Sequence, residues 1–363
     1  MSQVVNVRLG EPSGDKRVAL PGRLVTAVLL LSVLPAFLNL LGFDFTTIDA
    51  PIPAEANEVL LIHRLEVLEE VSRAEFIHTL LEWSAFCVAI FTAVFAYTNY
   101  SVTRDVATPV IGTALFFSGM IDGFRTLAAA RLIPTVVDLD HFIPFTWMIS
   151  RTINAIFLIA GMLPFVWSSR FGRVRRVETG PRFIVLSAIL FGLMAYSIIH
   201  ICAVLPTLPE TVFPKSRFAF RPWDLLPLFM YLFAGAVIFP KFHRREPSLF
   251  SHAIMVSVIP SAAAQLHAAF GSTALYDNHF NISLYLKIIA NLVPMAGLIL
   301  DYSRAYQNEV TLRLTEEKLR VARDVQQGLL PKRAPVVPGF DLAGLSAPAE
   351  AVGGDYYDFL PMS

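Results

Sequence analysis

Eight apolar stretches, each near the length of a bilayer span, constrain this chain more than any other feature. They run approximately over 25–43, 75–97, 108–127, 143–168, 183–205, 223–240, 249–270 and 282–301. A hydrocarbon core about 30 Å thick is crossed by roughly 20 helical residues. Within it a helix satisfies its own backbone donors and acceptors, which open strands cannot do. The predicted fold class is therefore an all-α polytopic membrane bundle of about eight transmembrane helices. Composition agrees: 55% of residues are hydrophobic and 16% charged, against about 25% charged in ordinary soluble domains. The formal net charge is zero and no basic tract stands out, so nucleic acid is not an expected partner. Cys87 and Cys202 both fall inside apolar runs, which argues against a disulfide framework.

The first 24 residues are polar and carry Lys16, Arg17 and Arg23. The apolar run behind them is long for a signal core and lacks a small-residue cleavage site, so it reads as an uncleaved first helix. Lysine and arginine concentrate in 169–182 (Arg170, Arg173, Arg175, Arg176, Arg182) and in 241–247 (Lys241, Arg244, Arg245). With eight spans these loops share a side with the N-terminus, and the positive-inside rule puts both termini in the cytoplasm. The segment 54–74 is charged yet helical in composition, and is expected to run into the second span as one long helix.

Ionisable side chains at membrane depth are costly without partners and are candidates for function. His78 and Glu82 share a face of the second span, Asp122 and Arg125 of the third, and Arg151 and Asn154 of the fourth. His200 lies in the fifth span, and Gln265 and His267 in the seventh. Two acids, Glu82 and Asp122, balance two bases, Arg125 and Arg151. The expectation is that His78, Glu82, Asp122 and Arg151 converge in one interhelical cluster toward the outer half of the membrane, either as a ligand- or proton-sensing pocket or as a structural ion-pair network. His78 and Glu82 also have metal-ligand spacing, but nearby arginines would repel a cation.

The segments FIHTLLEWSAFCVAIFTAVFAY (76–97), FFSGMIDGFRTLA (116–128) and WMISRTINAIFLIAG (147–161) resemble the third class of bacterial membrane-associated sensor domains of the MASE type. Such domains precede histidine kinases, diguanylate cyclases and phosphatases. The resemblance, over about 25–300, places the family's His and Glu on His78 and Glu82 and its arginine on Arg151. Its Asp-x-x-His-Thr pattern falls on Asp122 to Thr126, with Arg125 where histidine is usual.

Beyond Asp301 the chain becomes polar and helix-favouring. Residues 302–330 lack proline and carry two apolar stripes, Ala305, Leu312, Leu319, Ala322 and Leu329 on one and Val310, Leu314, Val321 and Val325 on the other. Such a helix can pair with its twin. Pro331 ends it, the alternation around Phe340, Leu342 and Leu345 suggests an edge strand, and Gly353, Gly354, Asp355 and Asp358 follow. Carboxylates there suit magnesium or manganese. ARDVQQGLLP (322–331) and PAEAVGGDYYDF (348–359) resemble the opening of the SpoIIE/RsbU-type metal-dependent serine/threonine phosphatases of the protein phosphatase 2C superfamily. That resemblance places the first metal-binding aspartate on Asp355, implies Mn or Mg as cofactor in the full-length protein, and implies a phosphorylated anti-sigma-factor antagonist as substrate. Its later aspartates are not among these residues, so the chain alone is expected to be inactive, with no catalytic set complete.

The expected organisation is a cytoplasmic N-terminal segment (1–24), a membrane sensor domain (25–301), a signalling helix that dimerises (302–331) and the first strands of an α/β phosphatase domain (332–363). The whole reads as a multi-pass sensor of the bacterial inner membrane, controlling a phosphatase in response to a small-molecule or physical stimulus. A small-molecule transporter with a regulatory tail is the alternative, disfavoured by the lack of an internal repeat or paired broken helices.

Overall fold

The computed structural model describes residues 18–47, 59–134, 136–167, 173–347, 352–354 and 356–360. The N-terminal residues 1–17 and 54–58 of the charged segment lie outside them, as does Asp355. The chain divides into two compact units, Met1–Tyr302 and Ser303–Ser363.

Among the described residues the first unit is built of helices and connecting loops, with no strand. Its helices are α1 (Gly22–Leu40), α2 (Val59–Thr103), α3 (Ala107–Ala129), α4 (Leu139–Trp167), α5 (Arg173–Val204), α6 (Leu225–Phe233), α7 (Phe239–Arg245), α8 (Leu249–Phe270) and α9 (Asn278–Leu329), the last continuing into the second unit. A short 3-10 turn (Pro222–Asp224), α6, a π turn (Ala234–Ile238) and α7 form one span together. The π turn stands just before Pro240, which cannot donate to the helical ladder. Eight of the resulting segments are long and apolar enough to cross a membrane. The charged stretch 59–74 and the second span are one uninterrupted helix.

Local chemistry sets several boundaries. α1 ends in a Schellman motif: Gly42 N donates to Asn39 O (3.0 Å), Phe43 N donates to Leu38 O (3.1 Å), and Gly42 takes a φ of +90°. α8 begins at Ser248, whose hydroxyl accepts from Ser251 N at 3.0 Å. Its next two donors, Leu249 N and Phe250 N, reach the Asp301 carboxylate of α9 at 3.1 and 3.2 Å. An acid at a helix N-terminus is favoured by the helix dipole, so Asp301 ties α9 to α8.

The helices differ in what covers them. Over its apolar window α3 is 78% buried, whereas α1 and α5 are 17% buried. α3 is therefore the centre of the bundle, and α1 and α5 are peripheral. α2 packs on α3 through small residues: a Cβ on Gly119 would stand 2.7 Å from Ala89 Cβ. In hydrocarbon, where apolar burial gives little drive between helices, such close approach is what holds them.

Ser303–Ser363 is a separate case. Its helical part reaches Leu329 and is exposed along its length. Beyond it, Pro338 and Gly339 make a turn closed by Phe340 N donating to Val337 O (3.1 Å), with one isolated bridge between Val337 and Phe340. The edge strand expected around Phe340, Leu342 and Leu345 does not form, and among the described residues there is no strand of a phosphatase domain. A strand needs a neighbour to complete its ladder, and the single bridge supplies none.

Candidate functional site

The charged residues of α2, α3, α4 and α9 meet at the heart of the bundle. Glu82 is fully buried and faces two cations. Its Oε1 is 2.6 Å from Arg125 Nη2, and its Oε2 accepts from Lys287 Nζ at 2.6 Å. Asp122 is the second anion: Lys287 Nζ lies 2.9 Å from Oδ1, and Arg151 Nη2 donates to Oδ2 at 3.1 Å. Arg125 Nη2 also reaches Asp122 Oδ1 at 3.4 Å, and Ser150 donates its hydroxyl to the same oxygen. His78 Nε2 stands 4.0 Å from Glu82 Oε1. Lys287 thus bridges the two carboxylates, and each carboxylate holds an arginine from α3 or α4.

Aromatic rings close the cluster. The buried Trp147 ring has Arg125 at 4.8 Å, Lys287 at 5.2 Å and Arg151 at 5.3 Å from its centroid. Indole is the best aromatic partner for a cation, and desolvation strengthens the attraction. Phe280 packs on Trp147 (5.4 Å) and stacks with His78 (5.6 Å), while Tyr276 meets His78 edge-on. Asn154 links α4 to its neighbours, donating to Ser118 Oγ and accepting from the Tyr231 hydroxyl, both at 2.8 Å. A second buried pair, Arg221 and Asp224, approaches to 3.8 Å, with Arg221 over the Phe280 ring at 5.8 Å.

Of the residues singled out from sequence, His78, Glu82, Asp122, Arg125 and Arg151 come together, with Asn154 alongside. His200 does not. It is exposed on α5, stacked on Tyr196, because the buried face of that helix follows Ile184, Phe191, Ala195 and Cys202. His267 lies elsewhere too, its Nδ1 2.9 Å from that of His279. The two-acid, two-base count must also be corrected. Lys287, 0% exposed, makes it three cations to two carboxylates. Apart from Asp301 at its end it is the one charged residue of the apolar stretch 282–301, and applying to that span the rule for ionisable groups at membrane depth would have found it. Trp147 and Ser150 carried no such signal.

Several buried donors have no protein hydrogen-bond acceptor among the described residues: Arg125 Nε and Nη1, Arg151 Nε and Trp147 Nε1. The site is richer in N–H donors than in acceptors. Its charge, hydrogen bonding and ring packing all depend on four helices keeping their present register.

In the second unit, the Gln326 amide closes a two-bond contact with one residue: Nε2 donates to Gly353 O (2.6 Å) and Oε1 accepts from Gly353 N (2.9 Å). The Tyr357 hydroxyl donates toward Pro331 O and Gly344 O. The helix and the glycine loop before Asp355 are thereby joined. Asp358 is turned onto its own surroundings, with Oδ1 accepting from Phe359 N and Oδ2 from the Tyr356 hydroxyl. Among the described residues no three His, Cys, Asp or Glu side chains assemble as metal ligands.

Comparison with known proteins locates the chain. Phosphoserine phosphatase RsbU of Bacillus subtilis (strain 168) is 30% identical to it over 95 residues, 22% of this chain and 28% of that protein. The chain thus spans under a third of that relative's length. No solved structure matches. The MASE3 family, described as a membrane-associated sensor domain, matches residues 70–301 and takes in every member of the ion cluster. The chain belongs to the MASE3 family of membrane-associated sensor domains.

Proposed function

We propose that this protein is the sensory part of a membrane receptor that controls a metal-dependent serine/threonine phosphatase. The observation that carries the reading is Lys287. It bridges Glu82 of α2 and Asp122 of α3, and it belongs to α9, the helix that continues to Leu329. Any stimulus that shifts α2, α3 or α4 changes the partners of a residue on that helix. Buried ion pairs suit such a role, because their geometry is discrete: a partner is either engaged or left as an uncompensated charge.

The output half of the proposal draws on the partial similarity to RsbU and on the Gln326–Gly353 contact. In this reading Asp355 is the first metal-binding aspartate, the cofactor is Mn or Mg, and the substrate is a phosphorylated regulatory protein such as an anti-sigma-factor antagonist. Leu312, Leu319 and Leu329 are 64%, 43% and 67% exposed, which favours a homodimer through 302–330. The basic loops 169–182 and 241–247 favour a cytoplasmic location for both termini.

The full-length protein in membranes tests the assignment. Manganese-dependent hydrolysis of a phosphoserine protein is expected, lost on Asp355→Ala and altered in its regulation on Glu82→Gln. Hydrolysis that survives Asp355→Ala refutes the phosphatase reading. Regulation unchanged by Glu82→Gln refutes the sensing role of the cluster.

A further inference from the structure

A cavity of about 350 Å³ opens between α1, α2 and α9, beside the ion cluster and distinct from it. Its walls include Leu34 and Leu38 of α1, Ile77 and Leu81 of α2, and Ile282 and Tyr285 of α9. The size lies in the range of small-molecule sites, and the mainly apolar lining with a few polar groups is typical of them.

Its roof is built by specific hydrogen bonds. The segment after α1 is stitched to the start of α9: Phe45 N donates to Asn278 Oδ1 (3.1 Å), and Asn281 Nδ2 donates to Phe45 O (2.7 Å) and Thr47 Oγ1 (3.2 Å). Thr47 N adds a bond to Tyr276 O (3.1 Å). Asn278 Nδ2 reaches back to Asn39 Oδ1 (3.1 Å). The side rim is apolar and open, with Leu34 41% and Ile77 39% exposed on helices that span the membrane. Entry is thus from the bilayer, and the water-facing end is closed by the stitched segment.

These features define the occupant. No charged side chain lines the cavity, so a charged ligand would be buried there without a partner. Polar groups come only from Thr47, Asn281 and Tyr285, of which Asn281 and Thr47 are engaged in the stitching bonds. We infer that the cavity binds a neutral amphiphile that partitions into the bilayer, with one hydrogen-bonding head and a hydrocarbon body. This goes beyond the proposed function but rests on it for the consequence of binding. Ile77 and Leu81 immediately precede His78 and Glu82, and Tyr285 stands two residues before Lys287. An occupant that pushes on these walls moves both halves of the Glu82–Lys287 pair.

The experiment uses the full chain in phosphatidylcholine nanodiscs, photolabelled with a diazirine analogue of 1-decanol and mapped by peptide mass spectrometry. Saturable labelling on α1, α2 or α9 wall residues is expected, competed by 1-decanol and much less by decane. Leu38→Trp, which fills the cavity from the peripheral helix, should abolish it. Tyr285→Phe should weaken the competition by about fivefold, the equivalent of one neutral hydrogen bond. Labelling that never saturates, that decane competes equally well, or that survives Leu38→Trp in a folded protein shows bilayer hydrocarbon alone and overturns the inference. Because labelling is read without phosphatase turnover, its failure leaves the receptor-phosphatase reading standing. Loss of hydrolysis with labelling intact would do the reverse.

Discussion

The ion cluster and the helix beyond Tyr302 both carry opposite charges one turn or more apart, but in opposite surroundings. Glu82, Asp122, Arg125, Arg151 and Lys287 have side chains at most 5% exposed. Glu309 and Arg313, an i,i+4 pair on the later helix, are 37% and 75% exposed. In water such a pair contributes about 0.3–0.5 kcal/mol. Removing one partner of a buried pair costs about 3–5 kcal/mol, because the other charge is stranded. Similar residue types thus carry different weight: in one set no charge can be stranded cheaply, while the other merely favours a solvated helix.

Glu82→Gln should show the largest effect. It leaves three cations to one carboxylate with almost no change in shape, and is expected to lower unfolding stability in mixed micelles by about 3–5 kcal/mol. Lys287→Met leaves two arginines to two carboxylates and should cost clearly less. If the two substitutions cost the same, charge balance is not what governs the cluster. Gln326→Ala occupies the middle of the scale. It removes two hydrogen bonds to Gly353, each contributing on the order of 1 kcal/mol, so faster amide exchange is expected at Val352–Gly354 with none at Glu82. Arg313→Gln stands at the low end, with a change of about 0.3–0.5 kcal/mol that shrinks in salt. A larger change would show that this helix is buried in an assembly. Outside the spans, Asp44 accepts from the Thr46 hydroxyl and backbone N–H, which hold its pKa below the usual carboxylate value. A depressed folded pKa contributes stability present above the unfolded pKa and lost as pH falls through the folded one. Protection of the Thr46 and Thr47 amides, measured against the intrinsic exchange rate at each pH, should therefore fall below about pH 4.

Span number was legible because hydrocarbon thickness turns composition directly into length. The convergence of His78, Glu82, Asp122 and Arg151 was legible for a related reason: buried charges must find one another. Lys287 escaped because a single lysine barely lowers the hydropathy of the run ISLYLKII (282–289), although it changes the electrostatics entirely. Trp147 was out of reach, since an indole in a membrane helix reads the same whether it faces lipid or three cations. His200 shows the converse limit. A polar residue in a span invites a functional reading, and only the helical phase set by Ile184, Phe191 and Ala195 puts it on the outer face. The strand expected near Phe340 failed for want of a partner, which local alternation cannot reveal.

The charges of α2 and α9 are held to act as one unit. A double-mutant cycle of Glu82→Gln and Lys287→Met, read as unfolding free energy in mixed micelles, measures that most directly. The double variant is expected to cost about 1–3 kcal/mol less than the two single costs combined. Additivity within about 0.5 kcal/mol would show that the two side chains do not depend on each other, and would contradict that coupling.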